Sequence, residues 1–432
     1  MKSIWAESAN RKQFESQKGD IKTEVLVIGG GIAGILCAFE LQKAGVDCVL
    51  VEAEKILNGV TQNTTAKITV QHGLIYDDII NKYGTDSAKM YLKAQQDAVK
   101  FYIDLCKDID CDFKIQDAYV YTTKDFDKIE REASAYKKIC LKYDFSMTSD
   151  LPIKTQGVLK IADQAQFNPL KFAFHLAEEL TIYENTKVLE LTDSGVITNK
   201  GKIYAKKIII ATHFPFINKF GGYFLKMYQH RSYVLALENA KIPDGMYVDE
   251  DIKGLSFREY NGLLLLGGGS HRTGKKGGNW AELRSFAATH YPESKEITHF
   301  TTQDCMTLDG IAYIGEYSKR LPNVYVATGF NKWGMTSSAA AAKILTDMIN
   351  GKKNDYAEVF SPNRSILHKQ FMVNMAETLV NFITPTAPRC PHLGCALKYN
   401  KTEHSWDCPC HGSRFSQDGK LIENPATNDK RL

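Results

Sequence analysis

The chain has 432 residues and a formal net charge of +4, with 44% hydrophobic and 24% charged residues. This describes a globular protein of two or three domains with ample core, and the small charge, without a basic stripe interleaved with aromatics, excludes a typical nucleic-acid surface. There is no run of about eighteen apolar residues and no apolar signal core near the N-terminus, so the expectation is a cytoplasmic protein with no integral membrane segment.

The stretch Thr23 to Glu54 organises the first part of the chain. Val25 to Ile28 is an uninterrupted apolar run, the pattern of a parallel strand buried on both faces. Gly29, Gly31 and Gly34 follow with the spacing that allows a tight turn, close approach of a pyrophosphate and close helix–sheet packing. A helical pattern runs to Gly45, a second apolar strand covers Val49 to Val51, and Glu52 lies ~20 residues beyond the glycines, where a carboxylate binds ribose hydroxyls. That acid favours a free 2′-hydroxyl, hence FAD or NAD over NADP.

Asn58 to Lys67 and then Ile68 to Gly73 form a small polar segment, suited either to packing against a cofactor or to an ordinary surface loop. Helices are predicted over Thr85–Ile109 and Lys124–Tyr143. Two strands between Tyr183 and Ala205 return to a buried one, Ile208–Ile210, ending at Ala211–Thr212. Lys226 to Gly268 is β-rich, and Asn261–Gly262 marks a hairpin. A helix over Asn279–Tyr291, a buried strand over Asn323–Gly329, and an alanine-rich helix over Thr336–Asn350 follow. Ser365–Ile383 has the pattern of an amphipathic helix, ended by Pro385 and Pro388.

Four of these segments together resemble the D-amino-acid oxidase and glycine oxidase superfamily of FAD enzymes: GGGIAG with Glu52, KKIIIATH, DCMTLDGIAYIG (Asp304–Gly315) and VYVATGFNKWGMTSSAAAAKIL. The resemblance spans residues 20–355. It implies FAD lying extended along the nucleotide domain, with Thr61, Thr65, Ala66 and Lys67 beside the flavin ring. It places Val188 against the adenine, Thr212 at the end of its strand, and Gly329, Asn331, Lys332, Trp333, Gly334, Met335 and Thr336 over the isoalloxazine end. Substrates in this superfamily are amines and amino acids. Catalytic residues are not legible from it; Lys67, His72, Arg231 and Arg258 are candidates, with Tyr228, Tyr233, His271 and Arg272 as further polar residues.

Of the ten cysteines, Cys390, Cys395, Cys408 and Cys410 crowd into the tail with His392 and His411. Two thiolates and two imidazoles suit a 2Fe–2S centre with mixed ligation or a Cys₂His₂ zinc site. The boxes CPHLGC and CPCHGS resemble the Rieske fold of the cytochrome bc type. That resemblance implies Cys390 and Cys408 on one iron, His392 and His411 on the other, and a disulfide between Cys395 and Cys410. It also implies two hydroxyl donors to the cluster sulfurs, where this chain has Ser413 and, in place of a tyrosine, Phe415. The base sheet that usually precedes such a unit is not recognisable, so the tail is expected to lean on the FAD domain. The SIW start and the GVT-x-NTTAKIT-x-QHG segment resemble a bacterial group of Rieske-tailed FAD oxidoreductases.

The expected architecture is an α/β FAD-binding (Rossmann-like) domain with an interleaved β-rich substrate domain, plus a small C-terminal Rieske cluster-binding β subdomain. The oxidoreductase part would span 1–360, with nucleotide-binding parts near 20–75, 150–215 and 300–355 and substrate parts near 76–149 and 216–299. A helical linker over 361–386 would lead to the subdomain at 387–432. The expected function is that of a flavoprotein oxidising an amine or amino acid and passing electrons singly through a 2Fe–2S cluster to a redox partner protein or quinone. The alternatives are a reductase running in the opposite direction and a redox-sensing protein without turnover.

Overall fold

The computed structural model describes residues 3–9, 11–217, 220–385 and 388–430. Its first sheet is built on Ile21–Ile28, whose apolar run pairs in parallel with Cys48–Val51 on one side and Gly201–Ile210 on the other. Leu321–Thr328 adds to Gly201–Ile210 in parallel, and Tyr313–Ser318 closes that edge antiparallel. Both faces are covered, which is why these strands read as continuous Val, Ile and Leu rather than as an alternation. The helix Ile32–Lys43 lies on one face beside Gly334–Ile349, with the alanines of the second helix permitting the close approach. Gly34 is the tightest point: a Cβ there would stand 1.9 Å from the carbonyl oxygen of Gly29.

The second sheet has nine strands, ordered from Lys295–Thr307 through Met227–Glu238, Leu263–Arg272, Ser256–Tyr260, Met246–Asp249, Lys114–Thr122 and Gly157–Gln166 to Lys67–Ile68, with Asp144–Ser146 paired beside Gly157–Gln166. The hairpin at Asn261–Gly262 forms, both residues taking positive φ (48° and 79°), as a two-residue type I′ turn requires. Lys67–Ile68 and Gly157–Gln166, expected among the nucleotide-binding parts, lie in this sheet, and Lys295–Thr307 crosses the boundary expected near 300. The helices Thr85–Leu105 and Phe126–Lys138 form close to their predicted spans, the second capped by the Asp125 side chain accepting from Lys128 N.

The tail forms a third, four-stranded antiparallel sheet, Lys398–Asn400, Ser405–Asp407, Arg414–Ser416 and Leu421–Glu423. It is preceded by the helix Lys369–Ile383. The junction expected at 386–387 lies outside the described residues.

Candidate functional site

The glycine turn opens the helix Ile32–Lys43 toward a nucleotide. Gly29 takes φ +110°, and a Cβ there would meet the Ala211 carbonyl oxygen at 2.6 Å; this backbone contact places Thr212 beside the turn. At Gly31 an added Cβ would meet only Thr61 Oγ1, at 3.6 Å, so the space in front of the helix is open on that side. Glu52 spans the turn, accepting from Gly30 N at 2.7 Å and Glu54 N at 3.0 Å. Burial raises its pKa against those two hydrogen bonds. Val188 is buried and packs in the cluster that holds Val49 and Val51, adjoining the strand that carries this acid.

The segment after Glu52 is held from beneath by the N-terminus. Trp5, fully buried, donates from Nε1 to the Thr64 carbonyl at 2.7 Å. Arg258 donates to the Thr65 carbonyl, to Gln166 Oε1 at 2.9 Å and to the Phe167 carbonyl at 3.0 Å, with its guanidinium 5.2 Å from the Trp5 ring. Arg258 thus supports the loop, each of its three nitrogens donating and no part of it reaching solvent. Ala66 adopts φ +51° just before Lys67.

Lys67 opens into a cleft of about 450 Å³, together with Thr65, His72, Tyr228, Asp304, Asn331, Lys332, Trp333, Gly334 and Met335. Burial, reinforced by the charge of Arg258, brings the Lys67 ammonium down to about 7. His72 is tied at both ring nitrogens, Nδ1 to Tyr91 OH at 2.6 Å and Nε2 to the Thr69 carbonyl at 2.9 Å and Thr336 Oγ1 at 3.0 Å. It also stacks on Trp333, centroids 4.9 Å apart. Burial holds it neutral, at about 3, so it acts as a clasp between the early loop and the late helix. That helix begins at Gly334, two residues before the predicted start, and no side chain caps its first N–H groups. Asn331 and Lys332 reach it through positive φ (51° and 73°).

Asp304, on the strand Lys295–Thr307, lines the same cleft and is raised to about 6 by burial. Sequence reasoning passed over it within the DCMTLDG segment; an acid in a strand that is buried at Gln303, Cys305 and Met306 was the available signal. Asp78, Asp249, Glu250 and Asp251 add carboxylates around the cleft.

In the tail, two loops are closed by the same pair of backbone hydrogen bonds. Cys390 N donates to Cys395 O and Gly394 N to Cys390 O, each at 2.9 Å; Cys408 N donates to Ser413 O and Gly412 N to Cys408 O, also at 2.9 Å. Gly394 and Gly412 make both returns with positive φ (78° and 88°), a conformation that costs glycine nothing. The two knuckles face one another, with the rings of His392 and His411 5.0 Å apart and nearly perpendicular. The sulfurs of Cys395, Cys408 and Cys410 lie within 4.8 Å of one another. Cys395 and Cys410, the pair expected to form a disulfide, are buried neighbours within this group.

The residues fit a cluster of mixed ligation. The His411 ring is buried beside the cysteines, and burial keeps His411 and His392 neutral, at about 3 and about 4, as iron ligation requires. All four cysteines are buried.

The tail sits on the second sheet. Gln229 Nε2 donates to the carbonyls of His411 (2.9 Å) and Asn424 (2.8 Å), and Gln303 Nε2 donates to the carbonyl of Gly412 (2.8 Å) and to Gln229 Oε1 (2.6 Å). Arg272 donates to the carbonyls of Pro409 and Cys410 at 3.1 and 3.2 Å. Arg231, fully buried, donates to Glu403, to Glu423 and to Thr301. Arg231 thus holds the tail, with all three of its nitrogens donating to Glu403 or Glu423 of that subdomain. Asn424 returns the contact, donating to the carbonyls of Thr212 and Phe214 at 2.8 and 2.9 Å.

Residues 24–348 match the family described as FAD dependent oxidoreductase (DAO), and residues 354–431 match the Rieske [2Fe-2S] domain. A Rieske 2Fe-2S iron-sulfur protein of Bacillus subtilis (strain 168), YhfW, is 35% identical over 487 aligned residues, covering 98% of this chain and 96% of that one. The gamma-glutamylputrescine oxidoreductase of Escherichia coli (strain K12) is 25% identical over 228 residues, 48% of this chain and 53% of its own. Among solved structures, glycine oxidase from Geobacillus kaustophilus superposes with a TM-score of 0.66 at 19% identity, over 80% of this chain and 99% of that one.

Proposed function

Because the chain belongs to the DAO family of FAD-dependent oxidoreductases and carries a Rieske [2Fe-2S] domain, we propose that it oxidises an amine or amino acid and delivers the electrons singly to a partner or quinone. The observation that carries this reading is the strand Met227–Glu238. It presents Tyr228 to the cleft, and the next residue, Gln229, holds the carbonyl of His411. Tyr228 also lies against Arg272, which donates to the carbonyls of Pro409 and Cys410, so this strand touches both the cleft and the tail.

Gly29, Gly31, Gly34 and Glu52 would hold the nucleotide end of FAD, with Val188 and Thr212 beside them. Thr61, Thr65, Ala66, Lys67 and the stretch Gly329, Asn331–Thr336 would hold the ring end. Cys390, Cys408, His392 and His411 would hold the cluster, with Cys395 and Cys410 pairing beside it on oxidation. When bound, FAD takes an electron pair as hydride and the cluster carries electrons one at a time. The protein supplies the rest. Carboxylates around the cleft draw in an ammonium group, and the acid of Asp304 faces the Lys332 ammonium within it. Lys67 Nζ, which loses its proton near neutral pH, can take one from the substrate amine. His72 and Trp333 close the floor. The resemblance to an enzyme named for gamma-glutamylputrescine supports the amine class.

The test is a pair of half-reactions on purified protein, with a panel of amines and amino acids as donors. Cys408→Ser should leave flavin reduction by the donor intact and slow reoxidation by the acceptor. Equal loss in both half-reactions, in a variant with an unchanged circular dichroism spectrum, overturns the assignment. Reduction of the flavin from the acceptor side alone would mark a reductase, and no turnover with any donor a sensor.

A further inference from the structure

The helix Lys369–Ile383 is packed with its polarity reversed. Its two buried residues are asparagines: Asn374, which accepts from Arg272 at 2.9 Å, and Asn381, whose side chain donates back to the Glu377 carbonyl. Glu377 is held on the inner flank by Lys275 at 2.7 Å. The opposite face turns Met372, Val373, Leu379, Val380, Phe382 and Ile383 to solvent, each about half or more exposed and Ile383 at 75%. Leu367, at 87%, extends this face before the helix. Apolar side chains exposed together on one face of a helix mark a surface that binds a partner or a membrane.

The face continues onto the first knuckle. Phe382 is the side chain nearest Gly394, and Leu393, next to His392, is itself exposed. Its exposed charges are basic: Lys369 lies at one end, and Arg389 at the other caps the helix through the carbonyls of Phe382 and Thr384. The helix has no exposed carboxylate. Fifteen residues rise only ~22 Å, too short to cross a bilayer and long enough to lie in its interface, as amphipathic helices with cationic flanks do.

We infer that Lys369–Ile383 is a docking face for an anionic lipid surface, and that docking brings the loop Pro391–Cys395 to the bilayer. The second half of this statement rests on the proposed role of the tail as the electron exit; the first does not. A membrane-dissolved quinone is the class of acceptor such a placement would serve.

The experiment is flotation of the full-length holoprotein with phosphatidylcholine vesicles, with and without about one-third phosphatidylglycerol. The wild type should float with the anionic vesicles and remain below with the neutral ones. The double variant Val373→Glu, Val380→Glu should lose at least about tenfold of the bound fraction while keeping its visible spectrum, and Leu189→Glu, at an exposed apolar site elsewhere, should float as the wild type does. Absence of wild-type flotation, or flotation indifferent to the double variant, overturns the inference. So does a wild-type dimer in sedimentation that the double variant dissociates, which would show that a second copy covers this face. Flotation requires no turnover, so its failure is distinguishable from failure of the half-reaction test.

Discussion

Arg231 of the second sheet and Glu403 of the C-terminal subdomain form an ion pair across 172 positions of sequence, and both side chains are almost wholly removed from solvent. Arg414 shares Glu403 at 2.8 Å and Asp407 at 2.9 Å, and Glu423 reaches Arg231 at 3.2 Å. Removing one member of such a network leaves a buried charge unpaired, at a cost of about 3–5 kcal/mol. Arg231→Met should therefore undock the tail, seen as faster hydrogen exchange over 398–423. Adding Glu403→Met should recover part of the loss, because the orphaned carboxylate goes with it. A single variant with wild-type exchange would show that the pair does not hold the interface.

The same pair predicts a pH response. Burial pushes the Glu403 carboxyl up, but the charges of Arg231 and Arg414 outweigh it and bring it down from 4.5 to about 2. A carboxyl depressed on folding adds stability above its unfolded pKa, and that stability is lost as pH falls through the folded value. The interface should be at full strength from about pH 5 upward and weaken between about 4.5 and 2. Asp309, lowered to about 2 beside Arg364 against its burial, titrates in the same window. Glu403→Gln separates the two, since it should flatten the exchange profile of 398–423 and leave that around Asp309 unchanged.

Gly31 and Gly34 should respond differently to substitution. Nothing but Thr61 Oγ1 approaches a Cβ at Gly31, whereas one at Gly34 would overlap the Gly29 carbonyl oxygen at 1.9 Å. Gly31→Val should give folded protein that purifies without flavin, because the added methyls stand where the pyrophosphate would approach. Gly34→Ala should cost about 3 kcal/mol or more by overpacking helix on turn and reduce soluble yield. Flavin retained by Gly31→Val, judged by absorbance, would remove this turn from the nucleotide site.

Phe415 is fully buried among Cys390, Cys395, Cys408 and Cys410. Ser413 Oγ accepts from Ala426 N at 3.0 Å and its hydroxyl reaches Cys390, so one of the two hydroxyl donors is in place and the other is a phenyl ring. A hydrogen bond to a charged acceptor is worth about 1.5–3 kcal/mol, partly replaceable by backbone. Donation favours the more negative, reduced state. Phe415→Tyr should raise the cluster potential by tens of millivolts in a titration under argon, at about 59 mV per tenfold. An unchanged or lowered potential, with the cluster spectrum intact, would show that this hydroxyl does not set it.

The nucleotide turn and the two knuckles were legible because their determinants are local. Gly29, Gly31, Gly34 and Glu52 lie within one strand–turn–helix–strand unit, and each cysteine box closes on itself through hydrogen bonds spanning four or five residues. Glycine at a positive φ and cysteine at a fixed offset leave few alternatives, so sequence spacing carries the geometry. The roles of Arg231 and Arg258 were not legible, since their acceptors stand 172 and 193 positions away for Glu403 and Thr65. A buried guanidinium and a catalytic one look alike until the fold supplies the partners. The same holds for Lys369–Ile383. Its periodicity marks an amphipathic helix, but periodicity fixes only that the faces differ. Arg272 and Lys275, contributed by the second sheet and the turn after it, drew the polar face inward, and that tertiary pairing alone left the apolar face outside.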